Sequence, residues 1–284
     1  MERYRILYNP NAGNGTGKAS SEKLRTVLSQ DTLTYEDMTA IKDYASFFAS
    51  LGEGEKVIIS GGDGTLNRFI NDTEGLELPK NIYYFAAGSG NDFLRDIEGE
   101  EGSKPFCIDP YLKGLPTVTV NGKTSHFLNG VGYGIDGYCC EVGDHIRETS
   151  DEPVNYTSIA IKGLLFHYKP TNAKITVDGK EYEFKKVWIA PTMKGRFYGG
   201  GMMPTPKQNR LDPDKKLSLM VFHRSSKLKT LMIFPSLFKG EHIKNTKYVT
   251  VIEGKEMTVK FDLPTALQID GETVLGVTEY TARA

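Results

Sequence analysis

The chain reads as an α/β protein of two domains, and three observations predict this. Its 284 residues amount to two domains at about 150 residues each. The first ~100 residues alternate short apolar runs with helical patterns, as a parallel α/β layer does. From Pro116 onward the pattern becomes β-branched alternation broken by Asn-Gly, Asp-Gly and Glu-Gly at hairpin spacing.

In the first half, Arg3 to Tyr8 is the opening strand, followed by a helix over Lys18 to Ser29 and a short strand over Thr32 to Glu36. A helix from Lys42 to Leu51 ends near Gly52, and Lys56 to Ser60 is apolar enough to be a buried strand. Thr65 to Asn71 should be helical and Ile82 to Phe85 a further strand. In the second half, Val118 to Lys123, Ile175 to Lys180 and Val249 to Lys255 each centre on a hairpin dipeptide, and their uneven spacing excludes a repeat architecture. Helices are expected at Tyr156 to Tyr168 and at Lys227 to Phe238, the latter with Pro235 near its end. Between His223 and Lys247 six lysines and arginines face a single acid, Glu241, with apolar residues between them. Such a segment either rests on an anionic membrane surface or packs on the core with a solvated basic edge.

Composition removes several function classes. Lys+Arg 35 against Asp+Glu 36 gives a net charge of -1, so phosphate or membrane affinity has to come from local clusters, and nucleic acid is not an expected partner. No apolar run approaches the ~20 residues of a membrane-spanning helix. The N-terminal residues read as a strand rather than a signal peptide, which sets the expectation of a cytoplasmic protein. Cys107, Cys139 and Cys140 form no C-x-x-C, and the five histidines form no H-x-H or H-E-x-x-H, so neither a thiolate zinc site nor a histidine metal site is expected.

Three glycine loops follow strands, where ligands bind in open α/β sheets. Asn9 to Lys18 lies between strand and helix, where backbone N–H groups can hold a phosphate, or it serves only as a flexible strand-to-helix loop. It departs from a Walker loop at Ala12 and Ala19, and from the dinucleotide fingerprint at Lys18. Gly61-Gly62-Asp63-Gly64-Thr65 follows Val57-Ile58-Ile59 and opens a helix, so its glycines let backbone approach a polyphosphate while Asp63 faces the phosphates or Mg²⁺. In Gly88-Ser89-Gly90-Asn91-Asp92-Phe93, Ser89 is a hydroxyl donor and Asp92 either caps the next turn or serves the site.

These loops, together with Phe127-Leu128-Asn129-Gly130, Gly132, Gly134, Asp136, the segment Tyr198 to Met202 and Asp270-Gly271-Glu272, stand in an order that resembles bacterial diacylglycerol kinases and related lipid kinases. The resemblance spans nearly the whole chain, and its Gly-Gly-Asp-Gly-Thr element is shared with NAD kinases. It implies a Rossmann-like ATP-binding domain at 1–115, with 276–284 returning to it, and a β-sandwich-like lipid domain at 116–275, the active site lying in the cleft between them. It implies transfer of the ATP γ-phosphate to a lipid hydroxyl, with diacylglycerol as leading acceptor. Asn9, Pro10, Asn11, Ala12, Gly13, Thr39, Gly62, Asp63, Gly64, Thr65, Leu66, Asn67 and Ser89 match ATP-contacting positions. Asp63 and Asp92 match acids that organise phosphates and Mg²⁺, and Glu272 matches the proposed general base, although Asp270-Gly271 taken alone is a plain hairpin turn. A structural Mg²⁺ is implied on Asp214 with the carbonyls of Leu211 and Lys216, except that Lys215 replaces the usual Gly. Arg68 stands where lipid kinases usually carry Glu. The implied partners are ATP and a lipid at the inner membrane surface, with a homodimer kept open. The rival readings are a kinase of a soluble acceptor, similar to NAD kinase, and a non-catalytic nucleotide- or lipid-binding module, the latter motivated by Arg68 and Lys215.

Overall fold

The structure is a computed structural model describing residues 1–88, 90–98, 104–150 and 154–284. It divides into two compact units, Met1–Leu115 and Pro116–Ala284.

The first unit is built on a sheet of order β2-β1-β3-β4-β5. Strands β1 (Arg3–Tyr8), β2 (Thr32–Asp37), β3 (Glu55–Gly61) and β4 (Ile82–Ala86) run parallel, and β5 (Phe106–Cys107) is antiparallel at the edge. Ile6, Ile58 and Phe85 point to one buried face with Leu24, as expected for strands covered on both sides. The helix expected over Lys18 to Ser29 is broken into α2 (Gly17–Ser21) and α3 (Leu24–Val27), after a single turn α1 (Ala12–Gly15). Ser21 Oγ donates to the Lys18 carbonyl at 2.6 Å, one way a hydroxyl competes with helix propagation. Asp43 caps α4 (Tyr44–Ala49) by accepting the N–H groups of Ala45 and Ser46, which moves the start two residues past Lys42. Helices α5 (Asp63–Asp72) and α6 (Asp92–Asp96) begin directly after β3 and β4.

The second unit is a sheet of order β13-β12-β11-β8-β14-β15-β6-β7, with β9 on β14 and β10 on β9. Its strands are β6 (Thr117–Val120), β7 (Lys123–His126), β8 (Gly130–Tyr133), β9 (Thr171–Val177), β10 (Lys180–Val187), β11 (Thr192–Met193), β12 (Leu217–Phe222), β13 (Val249–Gly254), β14 (Glu256–Ile269) and β15 (Glu272–Arg283). The early part of β14 pairs with β9 and its end pairs with β8, so the sheet forks about this strand and encloses a core that includes Tyr133, Phe261 and Tyr280. Two expected hairpins form, with positive φ at Asn121-Gly122 and Asp178-Gly179. Glu253-Gly254 is not a hairpin: β13 pairs with β12, and Asp178 accepts the N–H groups of Lys255 and Glu256 at 2.9 and 2.8 Å to turn the chain.

Residues 276–284 do not return to the first sheet. They lie in the end of β15, which pairs with β14 and β6.

Among the described residues, three α-helices pack on this sheet unit: α7 (Ile135–Thr149), α8 (Tyr156–Lys162) and α9 (Lys227–Ile233). The last two are shorter than the sequence pattern suggests. A π-helical turn, Gly163–His167, follows α8, and 3₁₀ geometry, Phe234–Lys239, follows α9, where Pro235 lacks the N–H that would continue it. Among the described residues no helix is long and apolar enough to cross a membrane.

Candidate active site

Four parallel strands place their carboxyl ends on one edge of the first sheet, and the loops that leave that edge carry the expected ATP-contacting residues. β1 and β3 are neighbours whose connections leave to opposite sides, the crevice where open α/β sheets bind ligands. After β1, Asn9 Oδ1 accepts the Asn11 N–H at 3.0 Å and the Asn9 carbonyl accepts that of Ala12 at 3.1 Å. Pro10 and Asn11 lead into α1, and Gly13 takes φ 58°. Gly17 has no freedom here, because a Cβ would sit 1.9 Å from the Asn9 carbonyl oxygen. After β2, the N–H and Oγ1 of Thr39 both donate to Asp37 Oδ1, at 2.8 and 2.7 Å.

The loops after β3 and β4 touch. A Cβ on Gly88 would lie 2.4 Å from Gly62 Cα, so Gly88 cannot carry a side chain without parting the loops, whereas a Cβ on Gly62 would make a tight 3.1 Å contact with Gly88 Cα. Asp63 holds the same contact electrostatically: its carboxylate accepts the N–H groups of Asp92 at 2.9 Å and Phe93 at 2.8 Å, capping α6 from across the loop. Asp92 is buried and ion-paired to Arg95 at 2.8 Å. Asn91, in left-handed geometry, donates to the Gly88 carbonyl at 2.8 Å and leaves its buried Oδ1 without a partner. Gly64 is open to solvent, whereas Thr65, Leu66 and Asn67 are buried on α5, so the Leu66 side chain belongs to the core. Ser89 lies outside the described residues. Arg68 pairs with Asp72 at 3.2 Å along α5, an exposed contact worth about 0.3–0.5 kcal/mol.

In the second unit Asp270 and Gly271 form the two-residue turn between β14 and β15, with φ 47° and 99°. The Asp270 carboxylate accepts three successive N–H groups, from Leu128, Asn129 (2.8 Å) and Gly130 (3.0 Å). Buried Arg210 clamps the same loop by donating to the Leu128 carbonyl and, at 2.7 Å, to Asn129 Oδ1. Glu272 therefore opens β15 beside a fixed turn with its side chain exposed. Its neighbour Thr273 donates to Asp144 Oδ2 of α7 at 2.6 Å.

One residue quoted among the sequence motifs without a role is a buried acid in the second unit. Asp136, on α7, is buried, accepts the Tyr198 hydroxyl at 3.1 Å and has a second oxygen without a partner. Gly132 is forced by it, since a Cβ there would meet Asp136 Oδ2 at 1.8 Å. The backbone beyond Tyr198 runs through three left-handed glycines, Gly199 to Gly201, closed by paired bonds between Tyr198 and Met202 at 3.0 and 3.1 Å. The apolar spacing of Ile135, Tyr138, Cys139, Val142 and Ile146 was the available signal for α7.

Burial pushes the Asp136 carboxyl up to about 6 from its ordinary 3.8, against the Gly137 N–H and Tyr198 hydroxyl, which favour the charged form. The folded protein thus holds the proton more tightly than the unfolded chain. This contribution stabilises below pH 4 and is lost as pH rises to about 6. Asp136→Asn is expected to raise stability at neutral pH by up to about 3 kcal/mol and to flatten its pH dependence, as measured by urea unfolding from about pH 4 to 8. Burial likewise pushes the Cys140 thiol up to about 12, which leaves it unreactive.

The residues expected to hold a structural Mg²⁺ are engaged with protein groups. Asp212 closes the turn by accepting the N–H groups of Asp214 and Lys216, both at 3.1 Å. The Lys216 carbonyl takes the Gln208 amide at 2.9 Å, and Asp214 pairs with Lys216 Nζ at 3.4 Å. Lys215 adopts the left-handed conformation itself, with φ 56°. Leu211 is exposed, and among the described residues no three acidic, His or Cys side chains gather as a metal group. A metal-independent turn predicts that chelation leaves the thermal midpoint of the nucleotide-free protein within about 1 °C, since an ion that does not bind contributes nothing to stability.

Comparisons with known proteins agree with this architecture. Residues 3–118 match the diacylglycerol kinase catalytic domain, and residues 129–283 match the YegS C-terminal NAD kinase beta sandwich-like domain. The diacylglycerol kinase of Bacillus subtilis (strain 168) is 24% identical over 282 residues, covering 96% of this chain and 90% of the relative. That of Mycobacterium tuberculosis (strain ATCC 25618 / H37Rv) is 24% identical over 204 residues, covering 69% and 64%. The crystal structure of a diacylglycerol kinase from Bacillus anthracis str. Sterne aligns with a TM-score of 0.59 at 20% identity, over 99% of this chain and 94% of that one, a likeness of fold. With both units matched, and the second match alone covering more than half of the chain, this protein belongs to the bacterial diacylglycerol kinase and YegS-like family of lipid kinases, which is related to the NAD kinases.

Proposed function

We propose that the protein transfers the γ-phosphate of ATP to the hydroxyl of a membrane lipid, diacylglycerol foremost, giving phosphatidic acid. The observation that carries this reading is the paired glycine loop after β3 and β4, drawn together by Asp63 across the Gly62–Gly88 contact. Phosphoryl transfer depends mainly on alignment and charge neutralisation, and backbone N–H groups on one sheet edge supply alignment without a Walker lysine. The segment Asn9 to Gly13, Thr39, Gly62 to Asn67 and Ser89 are the proposed nucleotide contacts; those of Leu66 are limited to its backbone by burial of its side chain.

Asp63 and Asp92 are the proposed carboxylates for Mg²⁺, which when bound neutralises phosphate charge. They suit an ion that keeps most of its water and is held by one or two carboxylates plus phosphates. The unpartnered Asn91 Oδ1 beside them is an acceptor for a water of such an ion. Glu272 is the proposed general base: its carboxylate takes the proton of the lipid hydroxyl as the oxygen bonds to phosphorus. Asp214, Leu211 and Lys216 are given no metal role. Work at a lipid surface makes this a peripheral protein of the inner membrane face, in the cytoplasm.

Incubation with ATP, Mg²⁺ and lipid-extract micelles, read by mass spectrometry, is expected to yield phosphatidic acid. No phosphorylated lipid under conditions where a known lipid kinase works would overturn the reading. Phosphorylation of NAD instead would assign a soluble acceptor, and nucleotide binding without transfer would assign a non-catalytic module.

A further inference from the structure

The second unit carries an apolar surface that its core leaves uncovered. On α9, Leu228 and Met232 are 70% and 66% exposed and stand four residues apart on one helix face. The opposite face of the same helix, Thr230 and Ile233, is buried. On α8 and the π-helical turn, Ile161 and Leu165 are also four apart and exposed, and Phe166 is 72% exposed. The two elements form one surface: Lys227 Nζ donates to the Leu165 carbonyl at 2.9 Å, and beneath them Ile159, Leu164, Ile233 and Phe234 share one core with Trp188. Burying large apolar side chains beneath while exposing others above is unusual for a solvated face, and a contiguous apolar patch marks an interaction site.

Charge identifies the occupant. Residues 154–169 and 223–240 contain Lys162, Lys169, Arg224, Lys227, Lys229 and Lys239 and no Asp or Glu. Lys162, Lys169, Arg224 and Lys227 are exposed beside the apolar residues. An isologous contact between two copies would set these cations against themselves, which is repulsive. Apolar side chains rimmed by unopposed lysines match the acyl boundary and negative headgroups of an anionic bilayer.

We propose that this face, formed by the π-helical turn and α9, docks the protein on an anionic lipid bilayer, with Leu228, Met232 and Phe166 entering the acyl boundary and Lys227 and its neighbours meeting the headgroups. The proposal rests on the lipid-kinase reading for its purpose, and it narrows the basic segment 223–247 to its first half. The later half spends its charge locally, Lys244 on Glu241 at 3.1 Å and Lys247 against the Tyr248 ring. Firm anchoring of the face follows from Ser226 capping α9 and from Trp188 Nε1 donating to the Ser225 carbonyl at 3.3 Å.

The test uses the full chain and vesicles without ATP or diacylglycerol, so that its outcome is independent of any kinase activity. Co-sedimentation should show at least about tenfold stronger binding to phosphatidylglycerol-containing vesicles than to pure phosphatidylcholine, falling with salt. Leu228→Glu and Phe166→Glu should each lower that binding about tenfold, with unchanged thermal midpoints because both side chains are exposed. Lys227→Glu should abolish the preference for anionic vesicles. Wild-type binding by all three variants, or equal binding to neutral and anionic vesicles, would overturn the proposal. A dimer in solution that Leu228→Glu dissociates, with vesicle binding unaltered, would assign the face to a second copy instead. Should the docking fail while lipid in detergent micelles is still phosphorylated, the kinase reading stands without it; should vesicle binding hold without phosphorylation, the reverse applies.

Discussion

Replacing Glu272 with glutamine is expected to lower turnover at least about 10²-fold, with the KM for ATP unchanged and the fold intact. The residue opens β15 with an exposed side chain, in register with Ile269 across a two-residue turn, so the amide keeps shape and backbone while removing only the proton acceptor. Nucleotide contacts are assigned to the first unit, which is why kcat and not ATP binding should respond. Steady-state kinetics at saturating and limiting ATP separate the two. Near wild-type turnover would remove Glu272 from the mechanism.

Asp270→Ala is expected to have a large effect on the fold of the second unit. It takes the acceptor from three N–H groups at once, those of Leu128, Asn129 and Gly130. A buried donor left unpaired costs about 1–3 kcal/mol, so a loss of about 3 kcal/mol or more should appear in urea unfolding. The position is also in left-handed geometry at φ 47°, which Ala tolerates poorly and Asn tolerates well. Asp270→Asn should therefore recover part of the stability by keeping the turn and one acceptor oxygen. Activity should fall with Ala even in the surviving folded fraction, because Glu272 leaves the same turn. Equal stability of the Ala and Asn variants would show that neither the left-handed geometry nor a single retained acceptor oxygen contributes.

Local signals explain what was legible in the sequence. Strand β3 is a short apolar run between Gly54 and Gly62, β4 ends just before Ala87-Gly88, β1 ends just before Asn9-Pro10, and α5 is announced by the glycines before it. The α/β class followed from these. What stayed hidden depends on residues distant in the chain. Asp63 caps α6 across 29 positions, and no pattern within either loop reveals it. Gly132 looks permissive in sequence, yet it is dictated by a carboxylate that arrives from the next helix. The helix α7 was overlooked because its glycines and paired cysteines dilute an apolar spacing that is nevertheless present. Glu253-Gly254 misled in the opposite direction: the dipeptide suits a hairpin, but β12 and β15 offered both flanking strands better partners. The residues matched to a structural Mg²⁺ have protein partners that no local pattern reveals, the Lys216 ammonium on Asp214 and the Gln208 amide on the Lys216 carbonyl.

The contact between Gly62 and Gly88 has a consequence for how this protein can be changed. Each residue is already the smallest available, so a methyl added at one cannot be offset by trimming the other. A library that diversifies the two together should return glycine at position 88 in every active clone, and at position 62 nothing larger than a residue that a few tenths of an ångström of loop movement can admit. Asp63 is constrained differently: Asn in its place would keep an acceptor for the N–H groups of α6 but would remove the carboxylate proposed for Mg²⁺. In this pair of loops the position that sterics restrict most, Gly88, is one that carries no functional group.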